Sequence, residues 1–192
     1  MADEDRERWD ERYASAPEVV EPSAPERIGV VLDRIPVTGR ALDVACGLGA
    51  QSLWAAERGL HVTALDVSPT ATSVVAAAAD RAGLADRVEA HTHDLDRGLP
   101  EDLPAPFDLV IVQRFRAPNL YPELVRCLAP HGVLVVSVLS EVGHAGEPGP
   151  HHAIAGELEE AFVDTPLGAD LEVLASHEAD GLATIVLRRR VP

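Results

Sequence analysis

The stretch ALDVACGLGAQSLWAAERGLHVTALD, residues 41–66, decides the fold of this 192-residue chain. An apolar run ends in Asp43, and a turn that carries Gly47 and Gly49 follows it. An amphipathic helix comes next, and a second apolar run ends in Asp66. This pattern predicts a strand, a glycine loop, a helix and a second strand, with a carboxylate at the end of each strand. Ligands of open α/β sheets bind outside such carboxyl ends.

Strands and helices alternate along most of the chain. The alternation predicts a Rossmann-like, doubly wound α/β fold with a mostly parallel seven-stranded sheet and helices on both faces. Two final strands, over residues 171–175 and 183–187, predict an antiparallel C-terminal hairpin at one edge of the sheet. The fifth strand is expected over residues 133–139, after a turn at Pro130-His131-Gly132. We expect one domain over residues 1–192.

The N-terminal segment, residues 1–36, is expected to form a helical lid or cap on a core of residues 39–192. Trp9 and Tyr13 are four residues apart in a strongly charged stretch, as on one face of a helix. They predict either a solvated helix pinned by two aromatic rings or a lid folded over a ligand pocket. Ser23 is a candidate N-cap for a further helix that runs to about Ile35.

Composition limits the partners. The formal charge is −16 and the isoelectric point is near 4.7, which argues against binding to nucleic acid or to an anionic membrane. All 16 basic residues are arginine, so lysine Schiff bases and a P-loop lysine are excluded. Two cysteines and a charged N-terminus favour a cytoplasmic protein. We therefore expect a small-molecule partner and a monomer or homodimer.

Two nucleotide ligands compete for the glycine loop. A dinucleotide site requires a third glycine, where this chain has Ser52, and Asp43 at the strand end would repel a pyrophosphate. S-adenosylmethionine has no phosphate, so an acid there suits it better. Asp66 is placed to accept hydrogen bonds from ribose hydroxyls in both ligand classes, and Asp94 is placed to accept from an adenine amino group. Each acid could instead be a helix cap or a turn residue.

With these features the chain resembles the class I S-adenosylmethionine-dependent methyltransferases. The resemblance is firm over about residues 39–138. Two shorter motifs, WDERY at residues 9–13 and GELEEAF at residues 156–162, are similar to the small single-domain branch that includes tellurite-resistance and thiopurine-type enzymes. The resemblance to the class I enzymes rests on four core motifs: LDVACGLGAQSLWAAERGLHVTALDVSP at 42–69, HDL at 93–95, FDLVIVQRF at 107–115 and LAPHGVLVVSV at 128–138.

The resemblance implies S-adenosyl-L-methionine as cofactor and assigns residues to its parts. The acid and glycines after the first strand would bind the methionine part, Asp66 the ribose and Asp94 the adenine. Ala50 replaces the third glycine of the family's loop, a change that a helix start tolerates. The full set of implied cofactor-binding residues is Trp9, Tyr13, Asp43, Ala45, Gly47, Gly49, Asp66, Val67, Asp94, Leu95 and Gln113.

The implied reaction is in-line transfer of a methyl group to an oxygen, nitrogen, sulfur or metalloid atom of a small molecule. Arg114 and Arg116 could bind an acceptor oxyanion or pair with neighbouring acids. No metal is expected, because the adjacent histidines at 151–152 lack a third ligand. Two other functions stay open: a non-catalytic S-adenosylmethionine-binding protein that acts through a partner, and a nicotinamide-dependent oxidoreductase. The candidate catalytic residues are Gln113, Arg114, His144 and His151.

Overall fold

The computed structural model describes residues 2–15 and 19–191, and the side chains of residues 2–5 also lie outside the description. Of the predicted lid segment, residues 1 and 16–18 are therefore not described. In the described part of the chain the strands are β1 (Arg40–Val44), β2 (His61–Asp66), β3 (Val88–Thr92), β4 (Phe107–Gln113), β5 (Leu128–Leu139), β6 (Leu171–Ala179) and β7 (Leu182–Arg189). The α-helices are α1 (Ala2–Tyr13), α2 (Ala50–Glu57), α3 (Pro69–Arg81), α4 (Tyr121–Arg126) and α5 (Glu157–Phe162).

The strands form one seven-stranded sheet in the order β3, β2, β1, β4, β5, β7, β6. β2 pairs in parallel with both β1 and β3, and β4 pairs in parallel with β5. β7 is antiparallel to both β5 and β6, so the last two strands form a hairpin at one edge. The predicted mixed, Rossmann-like sheet with an antiparallel C-terminal hairpin is confirmed.

The chain divides into two compact units. The first comprises residues 1–24 and 37–104, and the second comprises residues 25–36 and 105–192. In the first unit, α2 packs against β1 and β2, and α3 packs against β2 and β3. In the second unit, α4 packs against β5 and α5 packs against β7.

The start of α3 shows how the sequence fixes a helix next to the predicted ligand loop. Ser68 is the N-cap, and its hydroxyl oxygen accepts a hydrogen bond from the backbone N–H of Ala71 at 3.0 Å. Pro69 occupies the first helical position, where its missing N–H costs nothing. Five residues of this helix are buried, namely Ala71, Thr72, Val75, Ala78 and Ala79. Capping and an apolar face thus agree on the same element.

The predicted helix from Ser23 to Ile35 is wrong. Only residues Gly29–Arg34 are helical, and they form a 3-10 helix. Arg27 has a φ of 62°, and this left-handed conformation interrupts any helix that starts earlier. The hydroxyl of Ser23 does not cap a helix, since it accepts a hydrogen bond from the side-chain amide of Gln51 at 3.2 Å.

The fifth strand is longer than predicted. It starts at Leu128, which pairs with Phe107, and the register then shifts so that Leu109 pairs with Val133. The predicted turn over residues 130–132 therefore lies inside β5 as an irregularity. Within the described residues, no helix combines the length and the apolar character needed to cross a membrane.

Candidate functional site

The glycine loop between β1 and α2 depends on left-handed backbone conformations. Gly47 has a φ of 52°, Gly49 a φ of 86° and Ala45 a φ of 56°. A Cβ on Gly49 would lie 2.7 Å from a methyl carbon of Val75, so internal packing against α3 requires this glycine. A Cβ on Gly47 would instead lie 3.1 Å from the hydroxyl of Tyr13. Of these two glycines, Gly47 is the one that faces α1.

Three backbone N–H groups of this loop are already engaged inside the protein. Cys46 donates to the carbonyl of Leu65 at 2.9 Å, and Gly49 donates to the carbonyl of Cys46 at 2.9 Å. Gly47 donates to Oδ2 of Asp66 at 2.9 Å. A pyrophosphate at a glycine loop needs such N–H groups as donors. The three amides at 46, 47 and 49 are therefore unavailable to a dinucleotide.

Asp66 holds the loop and the next helix together. Its carboxylate is 5% exposed, and Oδ1 accepts a hydrogen bond from the N–H of Ser68 at 3.0 Å while Oδ2 binds Gly47. Burial raises the pKa of Asp66, and the hydrogen bonds from Ser68 and Gly47 counteract that rise. Each carboxylate oxygen has a second lone pair, so the group can still accept hydrogen bonds from a ligand.

Asp43 lies deeper than the sequence suggests. It is 1% exposed, and its Oδ2 accepts a hydrogen bond from the hydroxyl of Ser52 at 2.5 Å. Burial raises the pKa of Asp43 to about 7, although the bond to Ser52 opposes this rise. With a pKa of about 7, Asp43 carries only part of a negative charge at neutral pH, so it repels a pyrophosphate less than a fully ionised carboxylate would. The engaged N–H groups, rather than the charge of Asp43, therefore argue against a dinucleotide.

Asp94 follows β3 and begins a 3-10 turn. Its Oδ1 accepts a hydrogen bond from the N–H of Asp96 at 3.0 Å, and its side chain is half-buried. Leu95 next to it is buried, and Val67 after β2 is half-buried. Asp94 is thus a turn residue whose remaining carboxylate lone pairs can accept a further donor.

Helix α1 brings Trp9 and Tyr13 together as their spacing predicts. Their rings stack with centroids 5.5 Å apart, and the guanidinium of Arg12 lies 5.2 Å from the centre of the Trp9 ring. Burial and the nearby carboxylate of Asp66 raise the pKa of Tyr13, so its hydroxyl stays protonated beside the glycine loop. The aromatic pair and the loop therefore belong to one cluster in the first unit.

In the second unit, Gln113 and Arg114 share one partner that the sequence did not reveal. The side chain of Gln113 donates to Oε2 of Glu26 at 2.5 Å and accepts from the N–H of Glu26 at 3.2 Å. Arg114 donates to both carboxylate oxygens of Glu26, at 3.0 and 2.7 Å. Arg114 also has a φ of 56°, an uncommon conformation for a residue with a side chain.

Arg116 makes a similar bidentate ion pair with Glu157. Both of its hydrogen bonds to the Glu157 carboxylate are 2.7 Å long. Tyr121 interacts electrostatically with both members of this ion pair. Its hydroxyl is buried without a hydrogen-bond partner among the described residues. Burial raises the pKa of Tyr121, so this hydroxyl remains protonated. Both arginines of the predicted acceptor region thus pair with acids.

The loop histidines separate into two kinds. The rings of His144 and His152 lie 4.3 Å apart, and Nδ1 of His152 accepts a hydrogen bond from the N–H of Gly149 at 2.9 Å. His151 is exposed. Among the described residues, no group of three or more His, Cys, Asp or Glu is arranged to hold a metal ion.

Sequence reasoning missed three acids that organise these clusters. Glu26 and Glu157 lie 88 and 41 residues from the arginines that they bind, so no local pattern indicates them. Asp10, within the WDERY motif, bonds to the hydroxyl of Ser68 across 58 residues. A carboxylate between two aromatic residues of a predicted lid was the available signal for Asp10.

Comparison with known proteins supports the cofactor class. Residues 41–132 match a family described as a methyltransferase domain. Over 122 residues the chain is 32% identical to the ubiquinone biosynthesis O-methyltransferase of Xylella fastidiosa (strain 9a5c), covering 60% of this chain and 48% of that protein. The chain thus spans about half the length of the curated relative that it matches.

Solved structures share the fold over most of the chain. The cyclase SpnF superimposes with a TM-score of 0.73 at 17% identity, covering 100% of this chain and 98% of that chain. The geranyl diphosphate C-methyltransferase of Streptomyces coelicolor A3(2), solved with S-adenosyl-L-homocysteine, gives a TM-score of 0.63 at 13% identity, with 84% and 78% covered. At these identities the likeness shows the fold alone.

The family match spans β1, the glycine loop, Asp66 and Asp94, which are the parts that the sequence assigns to the cofactor. The family match therefore supports a class I methyltransferase domain in residues 41–132, with S-adenosyl-L-methionine as its cofactor.

Proposed function

We propose that residues 1–192 act as one enzyme domain that transfers a methyl group from S-adenosylmethionine to a small-molecule acceptor, with an oxygen atom as the first acceptor to test. The observation that carries the proposal is Asp66, a buried strand-end carboxylate bonded to the glycine loop and to the start of α3. The choice of oxygen is supported by the O-methyltransferase relative, which is 32% identical over 122 residues.

In this proposal the residues of the first unit bind the cofactor. Asp66 would accept hydrogen bonds from the ribose hydroxyls, and Asp94 would accept one from the adenine amino group. Gly47 would contact the methionine part, and the Tyr13 hydroxyl lies 3.1 Å from the position that a Cβ on Gly47 would take. Trp9 and Tyr13 would cover it with a stacked aromatic pair.

Catalysis would depend mainly on positioning. When bound, the cofactor supplies a methyl group on a sulfonium, which leaves as a neutral thioether. The protein therefore has to hold the acceptor in line with that methyl group, an effect that can contribute about 7–11 kcal/mol. Gln113, Arg114, His144 and His151 remain our candidates for contact with the acceptor. Because Glu26 already neutralises Arg114, an anionic acceptor is less favoured than a neutral hydroxyl compound.

The first test is Asp66→Asn, with Asp80→Asn on the exposed face of α3 as the matched control. A hydrogen bond to a charged group contributes about 1.5–3 kcal/mol, so we expect S-adenosylhomocysteine to bind about 10- to 100-fold more weakly in Asp66→Asn. Titration calorimetry measures this affinity. An unchanged affinity would refute the ribose assignment, and tight NAD binding without binding of either adenosyl compound would refute the cofactor itself.

Asp66→Asn must also be checked for folding, because asparagine leaves one acceptor oxygen for the backbone N–H groups of Gly47, Val67 and Ser68. We expect it to lower the free energy of unfolding by about 1–3 kcal/mol, and urea unfolding measures this loss. Comparison of the binding and unfolding data at a temperature where the variant is folded separates the two effects.

The second test separates an enzyme from a binding protein. Release of S-adenosylhomocysteine is followed with phenols, carboxylic acids, amines, thiols and metalloid oxyanions as acceptors. The fold does not choose among reactions, since SpnF is a cyclase. Turnover with a hydroxyl compound supports the proposal. Cofactor binding without turnover across the whole panel would favour the non-catalytic alternative.

A further inference from the structure

The side chain of Asp10 joins the N-terminal helix α1 to the start of α3. Oδ1 of Asp10 accepts a hydrogen bond from the hydroxyl of Ser68 at 2.5 Å and another from the N–H of Thr70 at 3.2 Å. The first N–H groups of a helix have no partner within the helix. Asp10, from a different helix, supplies an acceptor for one of them. A carboxylate is also favoured at this position by the helix dipole.

This contact lies at the end of a continuous chain of hydrogen bonds. Ser68 donates its N–H to Asp66 at 3.0 Å and its hydroxyl to Asp10. Asp66 in turn accepts the N–H of Gly47 at 2.9 Å. The carboxylate that we assign to the ribose is therefore linked directly to the glycine loop and, through one serine, to α1.

The bond between Asp10 and Ser68 also fixes the position of Tyr13, because both Asp10 and Tyr13 belong to α1. Asp10 and Tyr13 are three residues apart, so they lie on the same face of the helix. When Asp10 is fixed on α3, the hydroxyl of Tyr13 is held near Gly47, 3.1 Å from the position that a Cβ would take. Trp9 stacks on the Tyr13 ring and extends the covered surface.

We propose that Asp10 is a positioning residue that fastens α1 onto the start of α3 and so keeps Tyr13 and Trp9 closed over bound S-adenosylmethionine. This inference rests on the proposed function, because it assigns a role toward the same cofactor. Asp10 acts through Tyr13 and Ser68. Its loss leaves the chemistry of the site intact but allows α1 to detach.

The test uses Trp9 as a reporter. The chain has two tryptophans, so Trp54→Phe leaves Trp9 alone. In this background we compare Asp10→Ala, Asp10→Asn and the matched control Glu11→Ala, whose side chain is exposed on the same helix. Acrylamide quenching of Trp9 measures closure with and without S-adenosylhomocysteine, and stopped-flow mixing measures its release.

The proposal predicts a specific order among the variants. Loss of hydrogen bonds to a carboxylate that is partly exposed should raise the release rate in Asp10→Ala about three- to tenfold, with stronger quenching of Trp9. Asp10→Asn keeps an acceptor oxygen for Ser68 and Thr70 and should recover most of the parent behaviour. Glu11→Ala should match the parent.

Two kinds of failure are distinguishable. Equal quenching and equal release in Asp10→Ala and the parent would refute the role of Asp10. Tighter binding in Asp10→Ala would also refute it, because α1 would then compete with the ligand rather than cover it. Failure of the Trp54→Phe parent to bind S-adenosylhomocysteine at all would refute the proposed function instead. Quenching of Trp9 without ligand would still show whether Asp10 holds α1 on α3.

Discussion

Replacement of Asp43 by asparagine should change how the stability of the protein depends on pH. In the folded protein the pKa of Asp43 is raised by burial from 3.8 to about 7. A folded state with a raised pKa holds its proton more tightly than the unfolded chain. The stabilisation that the protonated Asp43 gives to the folded state is therefore complete below pH 3.8 and is lost as the pH rises through about 7.

The size of this effect follows from the two pKa values. At 1.36 kcal/mol per pKa unit, ionisation of Asp43 should cost about 4 kcal/mol of folding free energy at high pH. Between about pH 5 and about pH 8 the loss is about 2–3 kcal/mol. Asparagine cannot ionise, and its amide oxygen can still accept the hydrogen bond from Ser52. The variant should therefore lose less stability over this range.

Urea unfolding at several pH values measures the difference directly. We compare the parent with Asp43→Asn and with Asp80→Asn, an exposed acid on α3 that controls for the change of net charge. We expect Asp43→Asn to gain stability relative to the parent steadily from about pH 5 to about pH 8, and Asp80→Asn to stay parallel to the parent. Parallel curves for all three proteins would refute the raised pKa of Asp43.

Two further predictions concern packing and ion pairing. Gly49→Ala should destabilise the protein by about 2–4 kcal/mol, because of its φ of 86° and a clash with Val75, whereas Gly83→Ala meets only open space and should cost about 1–2 kcal/mol. Equal thermal-unfolding losses would contradict this. A double-mutant cycle with Arg116→Met and Glu157→Gln should give a coupling of about 1–2 kcal/mol in urea unfolding, and additive effects would show that the pair contributes nothing.

The fold was largely predictable because its signals are local. Ser68 followed by a proline and an alanine-rich segment defines the start of α3 within a few residues of sequence. The helix expected from Ser23 failed for a non-local reason, since the Ser23 hydroxyl bonds to Gln51, and Arg27 adopts a left-handed conformation that no residue pattern indicates. The start of β5 at Leu128 depends on pairing with Phe107, which is likewise decided by another strand.

The candidate site divides in the same way. The aspartates and glycines of the loop form a compact motif, so their neighbourhood could be predicted from residues 41–66 alone. The carboxylates that bind Arg114 and Arg116 come from distant parts of the chain, and one of them, Glu26, was expected inside a helix. Contacts of this kind form through tertiary packing, which explains why the sequence left acceptor binding and acid pairing as equal alternatives.

The basis for ligand selection at the loop also changes with the structure. In the sequence, Asp43 was a charge that would repel a pyrophosphate, yet the group is buried with a pKa of about 7. The loop disfavours a pyrophosphate in another way, because three of its N–H groups, those of Cys46, Gly47 and Gly49, already donate to internal oxygens. A phosphate ligand would have to break these bonds, at a cost of about 1–3 kcal/mol for each buried acceptor left unpaired. S-adenosylmethionine has no phosphate and makes no such demand, and in our proposal it would bind to the remaining lone pairs of Asp66 at the end of β2.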